Sequence, residues 1–459
     1  MEIIALCAAL LTAVFIGFNI LYLIFGRMDR FYLMEAVFVS YGIGLAAISL
    51  EMLIFYILGM KFNIPGMMIP WMLLFAVNIA AYFRTKKRFT FVRDNASEKR
   101  KGGTLSLFLT FGIVFEIFYA FFRALAKPIE SYDAIAIYAI KSKIFYLAKV
   151  IPADFFSGIA RAFPHPDYPL NIPLAEVFVY LSLGNLNDQL VKIIFPLYFV
   201  GILCVLYFAM RRFAGRTYAL AFTFILASIP QFNAYAANAY LELPLAFYCL
   251  LSALFLFGYL ENMKDTRALV MSAAMAALAA WTKNEGLMYC VINTFLVFFF
   301  TVAKRKDLTI KDIYRPFLYL AVILIVLSPW MFIKARYHIS SDEINLANLN
   351  PAYLLKQVPK LGSIFYEFQK QFFGPKKWNI LWPAVLFILI VNWKKVSSGV
   401  QKYAGISILL AISGYILFYM ISYVDVAFFA SKTWARFLLH FLPVVILWLA
   451  YMLKEDIDI

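Results

Sequence analysis

Residues 3–25 read IIALCAALLTAVFIGFNILYLIF, an apolar run broken only by one Thr and one Asn and carrying no charge. The hydrocarbon core of a bilayer is about 30 Å thick, and about 20 mainly apolar residues in a helix cross it. In hydrocarbon the run needs only its own backbone hydrogen bonds, which a helix supplies. It is too long for the apolar region of a signal peptide and has no convincing cleavage site, so it reads as a retained span. Similar runs recur almost to the other end: 33–60, 65–83, 104–124, 188–209, 217–231, 242–260, 267–282, 287–303, 316–334, 378–393, 403–424 and 436–453. Continuous apolarity without strict alternation favours helices over a barrel. The expected fold is therefore all-α, a polytopic transmembrane bundle of about 13 spans.

Composition agrees. Of 459 residues, 64% are hydrophobic and 15% charged, more apolar surface than a water-soluble core can hide. The net charge of +16 is spread over short clusters between spans, the pattern of topology signals, so no nucleic-acid partner is expected and membrane lipids are. All four cysteines (Cys7, Cys204, Cys249 and Cys290) lie inside apolar runs and read as small buried hydrophobes, with no disulfide framework.

The basic clusters set the sides. RTKKRFTFVRDNASEKRK, residues 84–101, has eight basic residues against two acidic ones and is the strongest cytoplasmic signal. RRFAGR (211–216), KRKDLTIKDIYR (304–315) and Lys394–Lys395 are expected on the same side. The long, polar segment 125–169 then falls on the outer face, as does 335–377. If 170–184 also crossed, RRFAGR would be placed outside, so this short run is expected to be re-entrant or to lie along the surface; the alternative is an incomplete span at 217–231.

With these sides, the unusual polar residues collect on the outer rim. They are Asp133, Lys141, His165 and Asp167 in the first outer loop, Glu242 at the start of 242–260, Lys283 and Glu285 in the turn WTKNEG, and Arg436 and His440 entering the last span. Ionisable groups at membrane boundaries are costly unless paired or used. Each has a plainer reading. Asp133 suits a helix N-cap, Lys141 and Lys143 suit interfacial anchors, HPDYP suits a Pro-rich turn, Glu242 with Lys283 suits a structural ion pair, and Arg436 with His440 suits a capping cluster. Acids and bases gathered on one rim suit a reaction centre. A lipid-glycan transporter or flippase is the competing class, but it calls for acids near the bilayer midplane in broken helices.

The segments SYDAIAIYAIKSKIFY (131–146), HPDYPLNIPLAEVFVY (165–180), YLELPL (240–245), WTKNEG (281–286) and the late Ser431 to Arg436 stretch occur in an order that resembles the GT-C glycosyltransferases. The resemblance is closest to the family 39 type, which includes protein O-mannosyltransferases and lipid A aminoarabinose transferases, and it covers roughly 104–453. It implies three regions: a three-span N-terminal addition with its basic loop (1–103), a catalytic transmembrane core (104–334), and an outer loop with the C-terminal spans (335–459). It implies extracytoplasmic juxtamembrane helices in the first outer loop. It also implies a polyprenyl-phosphate-linked sugar donor, and a lipid, glycan or protein acceptor in cell-envelope modification. Asp133 matches the family's general base, and Glu242 stands where an Asp is common. Many relatives have two adjacent acids at the first position; here Tyr132 and Ala134 flank a single one, so either one acid suffices or a distant partner such as Asp167 or Glu242 assists. Arg436 and Lys283, with Lys141 and His440 behind them, would meet the lipid phosphate. No metal or other cofactor is expected, although a divalent ion is used by some relatives.

Overall fold

The computed structural model describes residues 1–85, 90–93, 103–156, 165–303, 310–341 and 343–454. Most of the basic stretch 84–101 and the first half of 304–315 therefore lie outside the described residues. The chain runs through α1 (Glu2–Phe25), α2 (Leu33–Ile57), α3 (Ile64–Thr85) and α4 (Thr104–Leu125). A π-helical turn, Ala134–Ala139, then continues as α5 (Ile140–Ala148). After these come α6 (Asn171–Leu183), α7 (Asp188–Val191), α8 (Ile194–Arg211), α9 (Arg216–Ala227), α10 (Pro230–Tyr235), α11 (Glu242–Glu261), α12 (Thr266–Thr282) and α13 (Gly286–Ala303). The last part holds α14 (Ile310–Arg336), α15 (Pro351–Lys356), α16 (Lys360–Phe372), α17 (Pro375–Trp378), α18 (Leu381–Val391), α19 (Gly399–Ile421) and α20 (Val426–Leu453).

Among the described residues, ten helices are long and apolar enough to cross a bilayer, and the protein is a multi-pass membrane protein of all-helical fold. Three shorter helices, α9, α12 and α18, also carry the chain from one end of the bundle to the other. At one end Arg30 pairs with Asp265, Arg212 pairs with Glu35 at 2.6 Å, and Lys395 donates to the carbonyl of Met452 at 3.2 Å. RRFAGR and Lys394–Lys395 share that end. At the opposite end Glu2 meets Asn187 (2.9 Å), the amide of Phe62 donates to the carbonyl of Lys149 (2.7 Å), and Asn284 meets Asp167 (3.1 Å).

Helix α6 stays on this second side. Asn171, at its start, bonds Ser49 and Thr282, while Asn185 and Asn187, just past its end, bond Glu2. Residues 171–180 are all buried, against α1, α2 and α5, which rules out a surface-lying helix.

Two boundaries differ from the sequence expectation in ways that shape the site. The run 217–231 divides into α9 and α10, because Pro230 holds Ile229 in an extended conformation. The last helix begins at Val426, ten residues before the expected 436, where the Asp425 carboxylate caps the amide of Phe428 at 2.8 Å. About 15 Å of helix thus stands above Arg436, which lies in a recess rather than at a helix mouth. Helix α2 likewise continues eight residues past Ser49, the residue that accepts the Trp281 indole N–H, and its end meets that of α14 through Tyr56 and Tyr337 (2.8 Å).

Candidate active site

Five of the expected residues form one ion network in the recess. Arg436 donates through Nε to Glu242 Oε1 at 2.6 Å and through Nη1 to Asp133 Oδ2 at 2.7 Å. Lys283 reaches the same Glu242 oxygen at 3.1 Å and Glu285 Oε1 at 2.7 Å. Four parts of the chain meet here: the π-helical turn, the start of α11, the turn between α12 and α13, and the second quarter of α20. Asp133 directly precedes the π-helical turn, but its carboxylate makes no capping bond and turns to Arg436 instead. A π-helical turn widens the backbone at one place, a device frequent at functional sites. The side chain of Glu242 is 0% exposed, whereas those of Asp133 and Arg436 keep 24% and 16%, so the open edge of the network is the Asp133–Arg436 pair. Arg436 Nη2 makes no hydrogen bond among the described residues.

Electrostatics follow from that packing. Burial alone would lower the pKa of the Lys283 ammonium, but Glu242 and Glu285 overcome it and leave it raised, so the charge is held. The Arg436 guanidinium lies 4.9 Å from the ring centre of Tyr240, a cation–π contact. Tyr240 reaches that position because Ala239 adopts a left-handed conformation (φ 60°), a strain uncommon for a residue with a Cβ.

The remaining four residues stand behind this edge. Lys141 is fully buried and donates to the carbonyl of His165 at 2.7 Å, so it is not an interfacial anchor. Burial pulls its ammonium down to about 7 against the pull of Asp167. Asp167 is itself fully buried and accepts from Asn284. The His165 ring stacks on Tyr168 at 4.5 Å, and its backbone is left-handed (φ 55°). His440 is fully buried, with Nδ1 2.7 Å from the Tyr415 hydroxyl, so it supports the network from within the bundle and forms no surface cap with Arg436. Lys141, Asp167 and His440 brace the segments that carry the network and offer little surface to a ligand, whereas His165 is partly exposed. Lys143 pairs with Asp188 at 2.6 Å and locks α5 to α7.

Residues 167–333, a little over a third of the chain, match the family model described as dolichyl-phosphate-mannose-protein mannosyltransferase. The crystal structure of ArnT from Cupriavidus metallidurans bound to undecaprenyl phosphate superposes with a TM-score of 0.52, at 18% identity over 76% of this chain and 60% of that one. This is a GT-C fold. No curated protein matches the chain, which spans 60% of the ArnT length.

Within the GT-C fold the matched segment contains Asp167, Glu242, Lys283 and Glu285, while Asp133 and Arg436 lie outside it and join through geometry alone. Sequence reasoning missed three members of the site. Tyr240 sits beside Glu242 in the YLELPL segment but reads as interfacial belt. Tyr138 is buried within electrostatic reach of Glu242 and Arg436, with its hydroxyl free of hydrogen bonds among the described residues. Glu343, in the loop after α14, accepts from the Tyr168 hydroxyl at 2.9 Å, and burial pushes its carboxyl up to about 7. Among the described residues, no group of three His, Cys, Asp or Glu is placed to hold a metal ion.

Proposed function

We propose that this protein is a membrane glycosyltransferase that moves a sugar from a polyprenyl-phosphate carrier to an acceptor hydroxyl. The reaction runs on the extracytoplasmic face, with inversion, in cell-envelope glycan or glycoconjugate modification. The observation that carries the reading is the Arg436 fork, which holds Asp133 and Glu242 on two nitrogens and leaves the third without a partner among the described residues. An arginine fork suits a phosphate, and Lys283 adds a compact charge fixed by two carboxylates. The likeness of fold to ArnT, whose crystal contains undecaprenyl phosphate, supports a carrier of that class.

The bond changes then balance. Asp133 accepts the acceptor's hydroxyl proton as that oxygen bonds to the anomeric carbon, and the bond from that carbon to the carrier phosphate oxygen breaks. The electron pair leaves on the phosphate, where Arg436 and Lys283 offset the growing charge inside a low-dielectric recess. Without donor, Arg436 holds the Asp133 carboxylate at 2.7 Å. A donor phosphate competes for the same guanidinium and frees that carboxylate to meet the acceptor hydroxyl. Glu242, fully buried between both cations, holds them at the right spacing and takes no proton.

Purified protein supplied with a panel of polyprenyl-phosphate sugars and envelope acceptors tests this, with free lipid phosphate as the readout. Asp133→Asn should reduce turnover by roughly 10²–10⁴-fold with donor affinity kept. Arg436→Ala should raise the donor KM. Full turnover by Asp133→Asn would remove Asp133 as the base, and unchanged donor kinetics in Arg436→Ala would remove the phosphate assignment.

A further inference from the structure

Apart from the ion network, a cleft of about 330 Å³ lies at the outer end of α4, lined among others by Phe122, Arg123, Lys127, Ser131, Lys192 and Asn238. Its charge is unbalanced. Lys192 is 3% exposed, and its ammonium donates to the carbonyls of Lys127 (3.1 Å) and Pro128 (3.2 Å), with no carboxylate at ion-pair distance among the described residues. Arg123 faces the Tyr119 ring at 5.4 Å and also has no acidic partner there. Lys127 alone is paired, with Glu130 at 3.2 Å, and both of those side chains are solvent-exposed. Glu130 also lines the cleft and acts on Lys192 from beyond ion-pair distance; a nearly buried cation with no carboxylate at that distance is costly, and an anionic ligand would lower the cost.

Two neighbours indicate what kind of anion. Down α4 from the cleft, Phe111, Phe115, Phe118 and Phe122 are exposed at spacings of three and four residues, one continuous aromatic stripe that ends in the cleft wall. Cations at the head of an apolar stripe match an amphiphile with an anionic headgroup. At its other edge the cleft adjoins the reaction centre. Ser131 stands two residues before Asp133, and the Asn238 side chain holds the amide of Tyr240 at 3.1 Å, beneath Arg436.

We infer that this cleft binds the phosphate-bearing headgroup of a membrane-embedded acceptor lipid, whose tail lies along α4 and whose hydroxyl is thereby presented to Asp133. The inference rests on the transferase reading and adds to it the class of acceptor. Donor and acceptor then bring two anions to two separate sets of cations, Arg436 with Lys283 and Arg123 with Lys192.

Phosphatidic acid, with phosphatidylcholine as the zwitterionic control, is titrated onto the full-length protein in detergent micelles. Polyprenyl phosphate is titrated in parallel. The unaltered protein should prefer phosphatidic acid. Arg123→Gln should weaken that binding roughly tenfold, as loss of one charge-assisted contact implies, and leave polyprenyl-phosphate binding unchanged. Arg123→Glu should weaken it further, and because Arg123 is partly exposed neither change should unfold the chain, whereas Lys192→Gln also frees the carbonyls of Lys127 and Pro128. Equal binding of the two phospholipids, or unchanged binding in both Arg123 variants, overturns the inference. Equal losses for phosphatidic acid and polyprenyl phosphate also overturn it, by making the cleft a donor path. If the unaltered protein ignores polyprenyl phosphate, the transferase reading fails; if it ignores only phosphatidic acid, the cleft assignment alone fails.

Discussion

A carboxylate with no exposed surface, as Glu242 has, stays ionised in a membrane protein only because Arg436 and Lys283 converge on the same oxygen. Removing it leaves two cations facing each other in a dry recess, with Asp133 and Glu285 as their remaining partners. Glu242→Ala should therefore destabilise the protein by about 3–5 kcal/mol, the usual cost of breaking a buried pair. Glu242→Gln keeps the volume and one acceptor oxygen and should cost less. Thermal unfolding in detergent with denaturant-calibrated stabilities checks both, and a Glu242→Ala protein as stable as the original would show that the recess is wet. At this scale much was legible. Asp133, Glu242, Lys283, Glu285 and Arg436 stand out in sequence because charge is rare among apolar spans. Lys141, Asp167 and His440 stood out for the same reason, but a sequence does not tell a buried brace from an open ligand. Tyr240 and Tyr138 were hidden among 29 tyrosines, most with an ordinary interfacial explanation.

The Tyr168 hydroxyl donates to Glu343 and ties the loop after α14 to the segment before α6, while the Glu343 carbonyl accepts from the Ser422 hydroxyl and the Tyr423 amide and ties that loop to the turn between α19 and α20. Burial raises the Glu343 carboxyl from 4.5 to about 7, with nearby Glu285 adding to the shift. The folded protein thus keeps a proton there that the unfolded chain releases above 4.5. The stability contributed by this group is complete below 4.5 and is lost as pH rises through about 7. Glu343→Gln, neutral at every pH, should flatten that part of the stability profile, as thermal unfolding midpoints across the range would show. An unchanged slope would mean that Glu343 is ionised throughout. Individual elements were less legible than spans. SYDAIAIYA has the pattern of an ordinary α-helix, so its π-helical turn leaves no trace in periodicity. VAFFASKTWAR is polar enough to pass for loop, yet it is helical because Asp425 caps it and its apolar side packs on α16 and α19. The confinement of α6 to one side was legible, because only that reading kept RRFAGR with the other basic clusters.

The first two helices occupy a central place in the molecule. Gly17 and Gly44 let α1 and α2 approach so closely that a Cβ on either would lie 1.8 Å from a backbone oxygen of the other helix. Helix α2 then packs on α6, α8, α11 and α14. The Tyr248 hydroxyl donates to the carbonyl of Gly42 at 2.7 Å, and Ser49 joins Trp281 (2.7 Å) to Asn171 (2.7 Å) directly beneath the turn that carries Lys283. Interhelical hydrogen bonds in membranes average about 0.6 kcal/mol each, so these alone do not hold the bundle. Their loss matters more than their strength, since lipid tails can cover an exposed apolar face but cannot satisfy the Trp281 N–H or the Asn171 amide. From sequence α1–α3 read as an addition before a core, since every apolar run looks alike; the signals of close packing were Gly17, Ser40, Gly42, Gly44 and Ser49. A chain shortened to begin at Gly103 should consequently fail to run as a single species on size exclusion in mild detergent, and should lose transfer with it. Helix α3 supplies the control. It is mostly exposed and held by Asn78 to Asn19 (3.0 Å) and Trp71 to Glu51 (2.6 Å), so Asn78→Leu with Trp71→Phe should loosen α3 while the bundle stays monodisperse and active. A shortened chain that remained monodisperse and transferred sugar would show that α1 and α2 only fill a groove that lipid can fill as well.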